Sequence, residues 1–151
     1  MTENEPKIYR ATPAHLEALV PLFDAYRVFY RQPSHVGTAR AFLAERLGRG
    51  DAAIFLAERG GRAAGFTQLF PSFSSVLARR LWILNDLFVA PEARRGGVAR
   101  ALLERARVHA AETHAKGLVL STEVTNTSAQ RLYEALGWTK DEAFYTYRLA
   151  V

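Results

Sequence analysis

Apolar residues in the first 50 positions recur every three or four residues, a spacing typical of amphipathic helices. The first such stretch begins after Thr12 and Pro13, and a threonine followed by a proline is a helix start signal. The second stretch covers residues 38–47, and a short strand candidate over residues 7–10 precedes both. We therefore predict one strand and two helices in this part of the chain.

Longer apolar runs in the middle of the chain predict strands. Residues 53–58 and 62–70 flank a glycine-containing turn at residues 59–61, which is the arrangement of a β-hairpin. Residues 71–75 are predicted to form a loop. Residues 81–89 are dense in Leu, Ile and Phe, as expected of a central strand that its neighbours bury.

The last third of the chain alternates between the two patterns. A single apolar stripe predicts a helix over residues 97–113, and a second helix is predicted over residues 128–136, where a glycine stops it. Strands are predicted over residues 117–124, 138–140 and 144–149. Because a helix connects strands 81–89 and 117–124, these two strands are expected to pair in parallel. The predicted fold class is mixed α/β (α+β), mostly antiparallel, with about seven strands and about four helices.

Composition narrows the class of protein. The chain has 151 residues, 49% hydrophobic and 23% charged, which is ordinary for a globular protein and enough for one domain over residues 1–151. No apolar run approaches the roughly 20 residues of a membrane helix, and no secretory signal is visible. We therefore expect a cytoplasmic protein with no membrane partner. There is no cysteine, which excludes disulfides, thiolate metal sites and cysteine nucleophiles.

The charge pattern indicates a local anion site rather than a polyanion partner. The net charge is +5, but the arginines are scattered and no Lys/Arg run exceeds two residues. We therefore do not expect a nucleic-acid partner, since such proteins concentrate their cations on one face or helix. No metal site is predicted, because the histidines show no metal-ligand spacing with carboxylates, and we expect them at the surface: His15, His35, His109 and His114.

The segment from residue 87 to residue 103 has the strongest chemical signal. A strand leads through a proline turn into an Arg/Gly-rich loop and then into a helix. This order leaves backbone N–H groups available at the helix start, and glycines let a phosphate approach them closely. It predicts a phosphorylated ligand; the alternative is a glycine helix start beside two surface arginines. The loop fits the pattern R-x-x-G-x-A through Arg94, Arg95, Gly96, Gly97, Val98 and Ala99.

A second segment directly follows the predicted strand 117–124. It has the spacing N-x-x-A-x-x-x-Y-x-x-x-G-[FW], formed here by Asn126, Ala129, Tyr133, Gly137 and Trp138. Together the two segments resemble the GNAT superfamily of acetyl-CoA-dependent N-acetyltransferases, and the order of elements agrees over nearly the whole chain. The resemblance implies a sheet whose central parallel strands splay apart to admit CoA. It also implies a homodimer, because dimers are frequent in that family.

The resemblance also implies how acetyl-CoA is bound as the acyl donor. Backbone groups of the strand end should hydrogen-bond the pantetheine arm, and amides of the loop and helix start should surround the pyrophosphate. Asn126 should contact the pantetheine or cysteamine region. The implied cofactor-binding residues are Leu87, Phe88, Val89, Arg94, Arg95, Gly96, Gly97, Val98, Ala99, Arg100, Asn126, Ala129 and Tyr133.

Three residues are candidates for acid–base catalysis. The resemblance implies that Tyr133 protonates the departing CoA thiolate, whereas its spacing alone favours an aromatic packed on its helix. An amine must be neutral to attack a carbonyl, so we expect Asp86, or failing that Glu123, to take its proton directly or through water. Either carboxylate could instead attract the cationic amine, and Glu123 could simply face solvent.

Candidate acceptor residues lie at two further places. Asn85 and Asp86 resemble a pair in the diamine and polyamine acetyltransferase branch, where both positions tend to be acidic, and the chain is also similar to histone/polyamine relatives. Having Asn85 in place of the first acid weakens the inference to a polycationic substrate. Tyr26 and Tyr30 end the first helix, where the family builds its acceptor wall, and residues 70–73 could form the opposite lip. Aromatics at helical spacing can also be core residues.

The function implied is transfer of an acetyl group from acetyl-CoA to a primary amine by direct attack in a ternary complex. A small amine, polyamine or amino acid is the expected acceptor, with peptide or protein amines also in range. A thiol acyl-enzyme is excluded because the chain has no cysteine. The alternative is a CoA-binding regulatory or interaction module with little turnover, which would need neither Tyr133 nor Asp86.

Overall fold

The computed structural model describes residues 4–151, and its elements follow the predicted order. The strands and α-helices, in chain order, are β1 (Lys7–Arg10), α1 (Leu16–Phe29), α2 (Val36–Arg49), β2 (Ala53–Arg59), β3 (Arg62–Ser74), β4 (Arg79–Val89), α3 (Val98–Glu112), β5 (Gly117–Val119) and α4 (Thr127–Ala135). Short 3-10 turns at Pro13–His15 and Pro91–Ala93 precede α1 and α3. Residues up to Leu120 form one compact unit and Ser121–Val151 another.

The sheet confirms the predicted mixed class. Its strand order is β1-β2-β3-β4-β5, with antiparallel pairs except for the parallel pair β4–β5. It has five strands rather than about seven, because residues 138–140 and 144–149 form no strand in the described part of the chain. Side chains there, such as Phe144 and Tyr147, are more than 80% exposed. A high β-propensity produces a strand only where a neighbour pairs and packs with it.

Two other predicted boundaries were wrong. The strand expected over residues 117–124 ends at Val119. The loop expected over residues 71–75 is instead the continuation of β3 to Ser74, with Pro71 opposite Trp82. The β2–β3 pairing ends at Leu69, so the remainder of β3 has a described neighbour only on the β4 side. A proline is tolerated there, because a strand edge does not need every N–H as a donor.

Helices cover both faces of the sheet. α1 and α2 pack on one face against a core that includes Ile54, Leu56 and Phe66. α3 packs on the opposite face, where His109 contacts the rings of Phe55 and Trp82 at centroid distances of 5.4 and 4.6 Å. Both faces of the sheet are therefore buried, which explains the apolar runs of β2 and β4.

One extra residue in β4 changes which side chains of that strand point to each face of the sheet. Gln68 lies opposite Asp86 but Leu69 lies opposite Leu84, so Asn85 is the additional residue of a β-bulge. Because side chains alternate between faces, inserting one residue sends equivalent positions on its two sides to opposite faces. Accordingly Phe88 packs in the core under α1, whereas Trp82 packs against α3.

The start of α3 lies close to the sheet because Gly65 has no side chain. A Cβ at Gly65 would be 2.6 Å from the carbonyl oxygen of Phe88 and 3.2 Å from Cγ1 of Val98. The first contact is with backbone, which cannot rotate away as a side chain can. Gly65 therefore sets the distance between the end of β4 and the first turn of α3.

Replacement of Gly65 by Ala is expected to destabilise the protein by about 1–3 kcal/mol, the usual cost of forcing extra volume into a packed interior. Urea denaturation measures the change. Gly48→Ala is the matched control, since a Cβ at Gly48 contacts nothing and the residue lies within α2, where alanine is the better helix former. Equal stability of Gly65→Ala and wild type would contradict this account of the close approach.

In the second unit, local hydrogen bonds cap both ends of α4. The Oδ1 atom of Asn126 accepts the N–H of Ala129 at 3.3 Å and caps the helix start. At the other end, Gly137 has φ 93° and the N–H of Trp138 donates to the carbonyl of Tyr133 at 3.0 Å. These bonds form a Schellman motif, in which glycine takes the left-handed position and an apolar contact follows. The G-W ending of the sequence segment is thus a helix stop.

Candidate active site

The described pairing of the parallel strands is short. Its register is Leu81↔Gly117, Trp82↔Leu118 and Ile83↔Val119, and no further pair follows among residues 4–151. From Leu84 to Val89, β4 is paired with β3 on one side only in the described structure. A strand with one bare edge offers backbone N–H and C=O groups to an extended ligand. The bulge at Asn85 lies at the start of this bare edge.

Asp86 is the buried charge of the site. It is 3% exposed and lies directly after the bulge. Its carboxylate accepts hydrogen bonds from Nε2 of Gln68 and, at 2.8 Å, from Nδ2 of Asn85. The backbone carbonyl of Asp86 accepts the hydroxyl of Thr67 at 2.8 Å. Both the side chain and the backbone are thus held in one position.

Burial raises the pKa of the Asp86 carboxyl above its ordinary value, and hydrogen bonds from Gln68, Asn85 and Tyr26 oppose that shift. Desolvation is the larger effect, because removing water penalises the charged form. A carboxylate with a raised pKa accepts a proton more readily than an ordinary aspartate. The geometry therefore equips Asp86 to act as a base.

Gln68 is a site residue that the sequence prediction missed. It is fully buried, its Nε2 donates to Asp86, and its Oε1 has no hydrogen-bond partner in the described part of the chain. An amide inside the apolar run of β3 was the available signal, since buried polar side chains usually have a specific partner. Gln68 fixes the orientation of the Asp86 carboxylate.

Tyr26 joins α1 to the bulge. Its hydroxyl donates to the carbonyl of Asn85 at 3.2 Å, and its ring packs against Phe66 and Phe88 at 5.8 and 6.3 Å. The ring is therefore a core residue and the hydroxyl holds the bulge, while the acceptor role of Tyr26 stays a prediction. Tyr30 is partly exposed, with its ring 5.1 Å from that of Tyr26.

The Arg/Gly loop follows β4 directly. Nε of Arg94 donates to the carbonyl of Val89 at 3.1 Å, and its guanidinium lies 5.9 Å from the centre of the Phe88 ring. Arg95 has φ 66°, a left-handed conformation that costs a non-glycine residue about 1–2 kcal/mol. Backbone strain of this kind concentrates at functional sites.

The start of α3 is open to a ligand. Its first flanking residue, Gly97, has φ 80°, and within residues 4–151 no side chain caps this helix end. Val98 is 1% exposed, so its side chain is committed to the core and only its backbone can serve a ligand. Arg94, Arg95 and Arg100 are exposed beside it. Unpaired amides and nearby cations together make an anion site.

A groove of about 690 Å³ separates α1 from the end of β4. Apolar side chains of α1, including Val20 and Phe29, form one wall, and Phe88, Pro91 and Arg94 form the other. The groove therefore runs from α1 to the beginning of the Arg/Gly loop.

The remaining candidates lie in the second unit. Glu123 is half-buried, and its carbonyl accepts the N–H of Asn126 at 3.0 Å and Nε2 of Gln130 at 3.2 Å. Because Oδ1 of Asn126 caps α4, its Nδ2 is the group left to serve as a donor. Tyr133 is half-buried, with its ring centroid 6.0 Å from that of Trp138, and Ala129 lies in the first turn of α4.

The surface position predicted for the histidines was wrong for His109. His35 and His114 are exposed, but His109 is 6% exposed and its Nε2 has no partner among the described residues. Burial, followed by the positive charges of Arg10 and Arg105, lowers the pKa of His109 to about 4. The available signal was that His109 lies next to the apolar stripe of α3, whose residues are buried.

Two features are absent from residues 4–151. No group of three or more histidines and carboxylates is arranged to hold a metal ion. No helix there has the length and apolar character needed to cross a bilayer.

Comparison with known proteins places these features in a family. The model of the acetyltransferase (GNAT) family matches residues 19–138. The uncharacterized N-acetyltransferase YhfO of Bacillus subtilis (strain 168) is 46% identical over 144 residues, covering 95% of this chain and 97% of the relative. A crystal structure of a probable acetyltransferase is also 46% identical, with a TM-score of 0.90 and coverage of 96% and 97%. An aminoglycoside N-acetyltransferase in complex with CoA is 24% identical, with a TM-score of 0.79 and coverage of 98% and 97%; this likeness shows the fold alone.

Proposed function

Because this chain belongs to the acetyltransferase (GNAT) family and is therefore an acyltransferase, we propose that it transfers the acetyl group of acetyl-CoA directly to a primary amine. The observation that carries the proposal is the buried carboxylate of Asp86 beside the bare edge of β4. An acetyl thioester laid along that edge would bring its carbonyl close to a built-in base.

The donor is held at two places along its length, the pantetheine arm and the pyrophosphate. The pantetheine arm extends along β4 and bonds to the backbone of Leu87, Phe88 and Val89. The pyrophosphate lies at the start of α3, where amides over residues 95–100 and the helix dipole favour negative charge. The exposed guanidinium groups of Arg94, Arg95 and Arg100 add positive charge. From the resemblance of the segment that contains them, we also expect Asn126 and Ala129 to contact acetyl-CoA.

The reaction proceeds by direct attack. Asp86 accepts a proton from the ammonium group, directly or through water, and the neutral amine then forms a C–N bond with the acetyl carbonyl. The carbonyl oxygen takes the negative charge and is stabilised by a backbone N–H within residues 87–89. When the C–S bond breaks, the electron pair leaves with the sulfur, which receives a proton from Tyr133. The positively charged nitrogen of the new amide loses its extra proton to the Tyr133 phenolate or to water, which leaves a neutral amide and a thiol. Glu123 is the alternative base, or it holds the ammonium group by charge attraction.

We assign the acceptor side to Tyr26, Tyr30 and Asn85. Tyr26 fixes the bulge through its hydroxyl, and Asn85 is exposed next to the base. One buried carboxylate with an amide beside it carries less negative charge than an acidic pair would. We therefore favour a small monoamine or amino acid over a long polycation as the acceptor.

A panel of amines tests this function. Acetyl-CoA is mixed with the protein and with polyamines, amino acids, aminoglycosides or peptide N-termini, and the released CoA thiol is measured. At least one amine is expected to accelerate thiol release in proportion to enzyme concentration. If no amine does so while CoA binds in calorimetry, the protein is a CoA-binding module and the proposal fails.

Replacement of Tyr133 by Phe is expected to lower kcat about tenfold, which is less than the roughly 100-fold or larger effect usual for a general acid. The effect is modest because a thiolate is already a fair leaving group, since thiols ionise near pH 8.5. The variant keeps the ring that contacts Trp138, so α4 should be preserved. Steady-state kinetics from pH 6 to pH 10 measure the change. An unchanged kcat across this range would exclude Tyr133 as the acid.

A further inference from the structure

Arg59 is placed rigidly at the tip of a hairpin. It is the last residue of β2 and pairs with Arg62 across a two-residue turn, in which Gly60 and Gly61 have φ 59° and 75°. Two arginines directly opposite each other repel, which weakens a strand pair. Pairing within the hairpin therefore does not explain an arginine at position 59.

The side chain of Arg59 reaches the Arg/Gly loop. Its Nη1 donates to the carbonyl of Ala93 at 3.3 Å. Its guanidinium also fills the space beside Gly96, so that a Cβ on Gly96 would overlap Nη1 and Cζ of Arg59. Arg59 thus takes the place of a side chain on the loop itself.

This contact explains a glycine that the loop motif does not require. In the pattern R-x-x-G-x-A, Gly97 occupies the fixed glycine position and Gly96 a variable one. Gly97 has φ 80°, but Gly96 is not in the left-handed region, so its backbone conformation is open to other residues. Space for the Arg59 guanidinium is the reason for glycine at this position.

From these contacts we propose that Arg59 is a positioning residue for the pyrophosphate loop. It ties the loop to the β2–β3 hairpin and adds a positive charge behind the backbone amides that face the phosphates. The role rests on the proposed use of acetyl-CoA. It makes the enzyme selective for a donor that carries the pyrophosphate over a donor that ends at pantetheine.

Arg59→Ala tests the role with two donors, acetyl-CoA and S-acetylpantetheine, which lacks the pyrophosphate. For acetyl-CoA, KM is expected to rise about tenfold with kcat nearly unchanged, which is the loss of one charge-assisted contact. For S-acetylpantetheine, kcat/KM should stay at the wild-type value. The selectivity between donors therefore falls, which a general loss of structure would not produce. Arg62→Ala is the matched control, because Arg62 lies on the same hairpin and is exposed.

Gly96→Ala provides an independent test with Arg59 intact. Its new Cβ should displace the guanidinium, so KM for acetyl-CoA should rise as much as in Arg59→Ala. In the double variant, Gly96→Ala should add no further loss, because the group it displaces is already gone. Losses that multiply in the double variant would overturn the proposal.

The outcomes separate this role from the proposed function. If wild type binds CoA and Arg59→Ala binds it equally well in calorimetry, Arg59 has no positioning role and the acetyltransferase proposal stands. If both donors lose activity equally in Arg59→Ala, the residue supports the fold rather than the loop. If wild type neither binds CoA nor consumes acetyl-CoA, the proposed function and the role of Arg59 both fail.

Discussion

Asp86→Asn should lower kcat about 100-fold or more, the usual contribution of a general base. The substitution keeps the size of the side chain but removes its ability to take a proton from the ammonium group. The amine would then depend on water to become neutral before attack. Binding of CoA in calorimetry should be unchanged, because the proposed donor contacts of β4 begin after Asp86.

The pH profile makes this prediction specific. In wild type, kcat/KM should fall in acid as Asp86 becomes protonated, and burial, which raises the pKa of Asp86, moves this fall to a pH above the usual range of aspartate near 3.9. In Asp86→Asn this limb should disappear. A variant with wild-type kcat and an unchanged acid limb would transfer the role of base to Glu123 or to a water relay.

Asp24→Asn is the matched control for this experiment. Asp24 is also buried, at 8% exposure, and its carboxylate accepts the hydroxyl of Ser34 at 2.6 Å and the N–H of His35 at 2.8 Å. Losing a charge there tests the effect of altering a buried carboxylate to which no acid–base role is assigned. Asp24→Asn is expected to lower the melting temperature while kcat per folded molecule stays at the wild-type value.

The second large effect concerns stability in acid. The pKa of His109 is lowered to about 4, so the folded protein resists protonation of this side chain, whereas the unfolded chain takes up a proton near pH 6.5. The contribution of neutral His109 is complete above pH 6.5 and is lost as the pH falls toward 4. The loss amounts to about 3 kcal/mol, calculated from the difference between the two pKa values.

The charged groups around His109 set the direction of this effect. Arg10, Arg105 and Arg80 disfavour a positive imidazole, and Glu112 alone favours it. Arg105 also pairs with Glu112 at 3.5 Å. Protonation would therefore place a further cation among three arginines that already stack on Phe55 and Trp82 rings.

Urea denaturation at several pH values between 4 and 7 measures the contribution of His109 to the free energy of unfolding. His109→Phe should keep the ring contacts, lose the titratable group and flatten the dependence of unfolding free energy on pH over this range. His114→Asn, an exposed histidine in a left-handed conformation that asparagine tolerates, should retain the full dependence. An identical slope in wild type and His109→Phe would show that other groups cause the acid sensitivity.

Much of the fold follows from local patterns. The helix predicted over residues 97–113 is observed as Val98–Glu112, and the hairpin turn at residues 59–61 was predicted in place. Periodicity and turn chemistry act over a few residues, so they are legible in a sequence. The resemblance likewise depends on local segments, and the family assignment is confirmed.

The bulge could not be read from the sequence. The even-numbered residues from Trp82 to Ala90 are all buried, so the alternation of β4 looks unbroken through Asn85. Only the register with β3 shows that these residues serve two different cores. The face on which Asp86 lies, and hence its contact with Tyr26, is set by that register.

Contacts between distant segments were equally hidden. Gln68 meets Asp86 across 18 positions of sequence, and Arg59 meets Ala93 across 34. Nothing in the composition of either segment specifies its partner. In the sequence Gly96 is one residue of the Arg/Gly loop, and the contact that explains its lack of a side chain comes from Arg59 on the β2–β3 hairpin.

The extension of β3 past Leu69 has a consequence for how copies of this protein meet one another. Beyond that residue β3 has a bare edge in the described structure, and bare edges recruit strands from other molecules, which is one route to aggregation. Pro71 interrupts the row of N–H donors on this stretch, as prolines do on the edge strands of many sheets. Pro71, which makes the segment look like a loop in the sequence, thus removes one N–H donor and disfavours pairing of β3 with strands of other molecules.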